Sequence, residues 1–274
     1  VRTTYAYDAT GAYLERVTNP VFETVYGHYA NGLVESVTLA GATTHYAYDT
    51  AGRLTSVTDP LGAESTLAYN AAGNLTSTTD AMGRSASFTY DAAGRVLTAT
   101  DPAGETASFS YDLNGNRTSA TDQLGRVTHF SYDVLDKLAG VTDPLANSWA
   151  YTYDPNYNLA TVTNPRGATT SYTYSANDLL EATTDALGHT WSFTHDAAGN
   201  TLSSAYPTGE TVSRTYTADD LLATSAYSTG ESYAFSYTPT HRLSGVTDQA
   251  GRTQSFDYNP VGWLLSATDT ADGR

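Results

Sequence analysis

Across 274 residues the chain carries 29 acidic against 13 basic side chains, a formal charge of -16, so it has no basic stripe to displace counterions from phosphates and nucleic acid is excluded as a partner. It has no cysteine, which removes disulfide frameworks and thiolate metal sites. No apolar run approaches the ~20 residues that span a bilayer, so membrane insertion is not expected, and Val1 to Tyr7 lacks the basic and apolar stretches of a signal peptide.

In chain order, residues 1–47 hold two less regular units. Tyr7 to Tyr48 is 41 residues, one short of two 21-residue periods, and the missing residue coincides with Asn31-Gly32, a signature of two-residue hairpin turns. A shortened hairpin is expected there. Over residues 48–274 the 21-residue step is constant: Tyr48, Tyr69, Tyr90, Tyr111, Tyr132, Tyr153, Tyr174, then His195, Tyr216, Tyr237 and Tyr258. Self-similarity at a short fixed period decides the architecture, because each unit buries its apolar side only against its neighbours. The period crosses every midpoint, so residues 1–274 are expected to be one array, a segment of a longer protein.

Tyr48 to Tyr69 shows what one repeat holds. Asp49-Thr50-Ala51-Gly52 places an acceptor at the first position of a type I turn and a glycine three residues on, where the chain enters a bulge with positive φ. Asp59-Pro60-Leu61-Gly62 repeats that logic, with proline presetting φ. The intervening segments are too short for typical helices and alternate in polarity, so strand, tight turn, strand is the expected reading. The same signature recurs at Asp91 and Asp112 after Tyr90 and Tyr111. Position Gly62 recurs as glycine down the array except at Ala146 and Asp272.

Two residues before the tyrosine column stand Tyr46, Leu67, Phe88, Phe109, Phe130, Tyr151, Tyr172, Phe193, Arg214, Phe235 and Phe256. A spacing of two puts both columns on one face of a strand, which Trp149, Trp191 and Tyr233 join. On the partner strand Leu54, Leu75, Val96, Leu138, Leu159, Leu180, Leu222, Leu243 and Leu264 are expected between the aromatic rows, leaving Thr and Ser on the other face. The expected fold is all-β, a meander of roughly 26 strands at about 4.8 Å spacing, near 125 Å if flat. Open sheets seldom pass about 10 strands without curling. The sheet is therefore expected to roll into a barrel or shell, stack on a second layer, or bury its apolar face against a partner.

The runs YDTAGRLTSVTDPLG, YDAAGRVLTATDPAG and YDLNGNRTSATDQLG resemble YD repeats of the Rhs type, found in bacterial polymorphic toxins, in toxin-complex shell components and in teneurin receptors. The resemblance covers essentially the whole chain. It implies hairpins wound into a spiralling sheet that forms a hollow shell, enclosing an effector in the toxins and serving as an extracellular scaffold in the receptors. It also implies a secreted or cell-surface bacterial setting, with an enclosed effector or further repeats of the same polypeptide as partners. The usual closing core motif and a toxin domain are not found, because the last residues, Asp269 to Arg274, stand in mid-repeat.

The turn aspartates Asp49, Asp59, Asp80, Asp91, Asp101, Asp112, Asp133, Asp143, Asp154, Asp185, Asp196 and Asp248 invite a reading as acid/base pairs or calcium ligands. Capping of their own turns is the expected role. Asp269 to Asp272 lacks the spacing of a calcium loop, and the six histidines include no pair at metal-motif spacing. His195 reads as a substituted ladder position. No G-x-S-x-G elbow or phosphate loop occurs, so no catalytic, cofactor or metal residue is assigned. Arg214, Tyr206 and Tyr227 break the pattern, as ordinary repeat drift or as a contact site for a partner. The expected function is a non-enzymatic shell module. Its rivals are a surface scaffold or filament module contacting carbohydrate or protein, and an enzyme such as a glycosidase. Unpaired sheet edges add an expectation of end-to-end self-association.

Overall fold

The computed structural model describes residues 3–19 and 21–269. Among them are 26 β-strands, from Thr4–Tyr7 to Leu264–Asp269, all in one sheet, and no helix. The all-β class and the number of strands agree with the two strands per repeat read from the sequence. Asp272, one of the two departures from the glycine column, lies outside the described residues.

The chain divides into two units, Val1–Phe130 and Ser131–Arg274. In the first, strand Ser85–Tyr90 is half-buried at Ala86, Phe88 and Tyr90 and exposed at Ser85, Ser87 and Thr89. Tyr90 lies opposite Val96 and Phe88 opposite Ala99, all antiparallel. Between them the register slips, so that Leu97 has no partner and Val96 and Ala99, three apart, share the ring face. The sequence expectation that the turn glycine leads into a bulge is met, with the slip falling between Val96 and Thr98.

The second unit repeats the arrangement. In Ser148–Tyr153, Trp149, Tyr151 and Tyr153 are half-buried while Ser148, Ala150 and Thr152 are exposed. Tyr153 pairs with Leu159, Tyr151 with Val162 and Trp149 with Val141. The opposite face is a ladder of hydroxyls, with Thr152 Oγ1 2.6 Å from Thr161 Oγ1 and, in the first unit, Thr89 Oγ1 2.6 Å from Thr98 Oγ1. Rings and leucines thus share one side and hydroxyls the other, as read from the columns.

Both kinds of turn use one hydrogen-bond scheme. At Asp91 the backbone N–H donates to Arg95 O at 3.0 Å and Gly94 N–H returns to Asp91 O at 3.0 Å. The carboxylate Oδ1 accepts from the N–H groups of Ala93 and Arg95 at 2.9 Å each. Gly94 has φ +80°, a conformation that costs any residue with a Cβ roughly 1–2 kcal/mol. Asp59 does the same with Leu61 at 2.8 Å and Ala63 at 2.9 Å.

The shortened hairpin lies elsewhere than expected. Tyr29 to Gly32 forms an ordinary four-residue turn, with Tyr29 N–H to Leu33 O at 2.9 Å and Gly32 N–H to Tyr29 O at 2.8 Å. The missing residue is in the next turn, where Leu39 faces Ala42 and only Ala40 and Gly41 intervene, at φ 51° and 84°. Two successive positive φ values define the primed hairpin turn, and Asn31-Gly32 is instead the second half of a turn opened by Tyr29.

Within each unit, strands contact only their neighbours in sequence. No second layer covers the rings among the described residues of each unit. Among the described residues Val212 is the one buried hydrophobic side chain, so the rings are only half-covered, by each other and by the leucines beside them.

Candidate interaction face

The ring-bearing face is where chemistry can concentrate, and the signature residues build it. Eight of the repeat tyrosines reach beyond their own hairpins. The hydroxyls of Tyr69, Tyr90 and Tyr111 donate to the carbonyls of Leu54, Leu75 and Val96, 15 residues earlier, at 2.9, 2.7 and 3.0 Å. In the second unit Tyr153, Tyr174, Tyr216, Tyr237 and Tyr258 donate in the same way to Leu138, Leu159, Thr201, Leu222 and Leu243 at 2.9–3.0 Å. Sequence reasoning placed these tyrosines as packing rings and missed the hydroxyl. The preference for tyrosine over phenylalanine in this one column was the available signal.

Tyr48 departs from the rule. Its ring meets Tyr29 edge-on, with centroids 6.1 Å apart, while Tyr29 itself donates to Tyr46 O at 3.0 Å. His195 sits in the tyrosine column opposite Thr201 and has no hydroxyl to offer. Tyr132 ends the strand Val127–Tyr132.

Arginine ties neighbouring repeats together from the other direction. Arg95 donates through Nε to Asp91 Oδ2 at 2.6 Å and through Nη1 to Asp112 O at 3.2 Å, with its guanidinium 4.7 Å from the Tyr111 ring centre. Arg53 repeats this with Asp49, Asn70 O and the Tyr69 ring. The backbone N–H of Arg95, then its side chain, hold the Asp91 carboxyl below the usual carboxylate range, and Asp49 is lowered in the same way by Arg53. All twelve singled-out aspartates accept turn N–H groups, including Asp101, Asp112, Asp133, Asp143 and Asp154. Gly52 and Gly62 occupy the positive-φ positions of their turns.

The pattern changes around Arg214. Its Nη1 donates to Ser204 Oγ at 2.8 Å, and it faces Ser225 across the register. Ser204 and Ser225 are buried, as is Val212 beside them. In the other regular repeats this column holds Val57, Thr78, Ala99, Ala120, Val141, Val162, Thr183, Val246 and Ala267, and serine stands only beside Arg214. The long arginine in an aromatic slot is thus accommodated by small polar neighbours, a compensation visible in the columns but not read from them.

At the turn end of the same face, Tyr206 and Tyr227 stand where other turns begin with aspartate. Tyr227 and Tyr233 meet edge-on with centroids 6.4 Å apart. A cavity of about 410 Å³ lies between Tyr206 and Tyr227, and one of about 400 Å³ lies between Tyr206 and Trp191.

Each unit is thus built of hairpin repeats in a sheet, with tyrosine hydroxyls, arginines and turn aspartates as ties and, among the described residues, an aromatic face without a covering layer within the unit. The RHS Repeat family model matches residues 28–64, 69–106, 111–148, 134–169, 153–190, 174–211 and 237–274. The chain belongs to the RHS repeat family.

Among solved structures, the TcdB2–TccC3–TEV crystal structure is similar at TM-score 0.68 and 16% identity, over 98% of this chain and 18% of that one. TcdB2–TccC3 without its hypervariable C-terminal region gives TM-score 0.68 and 18% identity over 98% and 15% of the two chains. The Photorhabdus luminescens Tc holotoxin pore gives 0.61 and 20%, again over 98% and 15%. The chain spans less than a fifth of these three solved chains, and the likeness is one of fold. Comparison with the curated proteins finds no match.

Proposed function

We propose that this chain is a non-enzymatic wall segment of an Rhs-type shell, with its ring-bearing face turned toward the enclosed space and its hydroxyl face toward water. The observation that carries this reading is the aromatic face itself, continuous within each unit and, among the described residues, without a second layer in that unit. An apolar surface larger than a few hundred Å² is seldom left to solvent, and further repeats or an enclosed polypeptide would remove it from water. Capped turns and cross-strand hydroxyl pairs suit the opposite face to permanent hydration. In this reading the fold likeness to Tc toxin components extends to role, an enclosed effector is the partner, and the shell is exported from a bacterium. The edge strands Thr4–Tyr7 and Leu264–Asp269 would pair with further repeats or with other copies.

This chain contributes no cysteine of its own to a labelling test, so each variant is read against the parent polypeptide. Single substitutions Ala86→Cys on the ring face and Ser87→Cys on the hydroxyl face are introduced into the intact native polypeptide and exposed to a bulky maleimide. Labelling of Ser87→Cys with protection of Ala86→Cys is expected. Equal labelling of both would favour the open scaffold or filament reading, and the reverse pattern would place the rings outside.

A further inference from the structure

In two successive repeats the chain exchanges a paired for an unpaired arrangement at one place. At three turns of this row an aspartate opens the turn and an arginine four positions later binds it: Arg84 to Asp80 at 2.7 Å, Arg126 to Asp122 at 2.7 Å, Arg252 to Asp248 at 2.6 Å. In the turns 206–209 and 227–230 the openers are Tyr206 and Tyr227, and the residues four on are Glu210 and Glu231. Where those three turns hold an ion pair, these two hold a ring and a carboxylate, and Glu105, at the same position, follows an aspartate instead of a ring. Neither Glu210 nor Glu231 has a side-chain hydrogen bond or ion pair, and both are exposed. Tyr206 and Tyr227 are 37% and 40% exposed, so their ring faces are available to a ligand.

These groups converge. Val212 faces Ser204 on one side and Tyr227 on the other, which sets Tyr206, Glu210, Tyr227 and Glu231 along the turn end of the ring face. They line the cavity of about 410 Å³, and Tyr206 and Glu210 also line the adjoining cavity of about 400 Å³ with Trp191. The family match leaves residues 212–236 unmatched, and that stretch supplies Val212, Tyr227 and Glu231.

From this we infer that the Tyr206–Tyr227 groove binds a lysine- or arginine-bearing polypeptide segment. Aromatic faces attract an alkylammonium or guanidinium through their quadrupoles, and a carboxylate beside each ring supplies the countercharge. The two neighbouring cavities fit two basic side chains of one extended segment. An anionic segment is opposed by both carboxylates and by the net charge of -16.

The test is fluorescence anisotropy of rhodamine-labelled hexalysine against the whole chain at about 150 mM salt, where long-range attraction is screened. The Glu210→Gln/Glu231→Gln double variant is expected to bind about tenfold more weakly, and Tyr206→Leu/Tyr227→Leu to weaken binding comparably. The control Glu64→Gln/Glu105→Gln, which removes the same charge from exposed positions elsewhere, is expected to bind as the parent does. Circular dichroism confirms that each variant is folded. Equal weakening in the control would reduce the effect to general acidity and overturn the proposal. So would no binding of hexalysine, or binding of neutral chitohexaose that ignores both glutamate substitutions.

Discussion

The hydroxyl of Tyr174 donates to the carbonyl of Leu159 at 3.0 Å, beyond the point where the ladder between their strands has ended. That ladder pairs Thr163 with Thr169, Val162 with Thr170 and Thr161 with Ser171, and stops two residues short of Leu159. The tyrosine therefore closes the open end of the preceding hairpin from the next turn along. Tyr174→Phe keeps the ring and removes this bond, and is expected to cost about 1 kcal/mol in urea unfolding, with hydrogen exchange faster near Leu159. His195→Tyr supplies the rung its repeat lacks and is expected to stabilise by about 1 kcal/mol.

The coupling between repeats through Arg95 can be isolated. With its guanidinium 4.7 Å from the Tyr111 ring centre, a double-mutant cycle of Arg95→Ala and Tyr111→Leu is expected to show an interaction energy of about 0.5–1 kcal/mol. Arg95→Lys should recover little of it, because an ammonium cannot hold Asp91, the Asp112 carbonyl and the ring in one planar fork.

Two turns separate backbone strain from side-chain contacts. Ala146 holds the turn position usually given to glycine at φ 64°, and Ala146→Gly is expected to raise stability by about 0.5–1 kcal/mol in thermal or urea unfolding. At Gly167, with φ 77°, an added methyl would meet nothing within 4 Å, so Gly167→Ala is expected to lower stability by about 1 kcal/mol through conformation alone.

Acid should destabilise the array through its turns. Asp80, Asp122 and Asp248 are lowered first by their arginine side chains, and Asp91 first by a backbone N–H, each from 3.8. A carboxyl lowered on folding stabilises above its unfolded value, and that contribution disappears as pH falls through the folded value, so the loss is expected below about pH 4. Asn70 and Asn164 make the same turn bonds without titrating. Replacing Asp80, Asp91, Asp122 and Asp248 by Asn is expected to flatten the acid limb of a stability profile. At the alkaline end the sign reverses: burial raises Tyr153 and Tyr174 above 10.0, so their contribution is complete below that value and is lost as pH climbs through the folded ones.

The 21-residue period was enough to determine the strands, the paired turns, the aspartate caps and the sidedness of rings and hydroxyls, because those depend on alternation and on turn chemistry within one hairpin. The position of the shortened turn at Ala40–Gly41 was misread, since Asn-Gly signals a turn without saying which half of it the pair occupies. Only the tertiary structure decided what passes between repeats: the rung from Tyr174 to Leu159, the bridge from Arg95 to Asp112, the serines that make room for Arg214, and the convergence of Tyr206, Glu210, Tyr227 and Glu231. Each joins residues whose separation is set by register across several strands and by the bulge beside each tyrosine. Local sequence preference carries no information about a contact until that register exists.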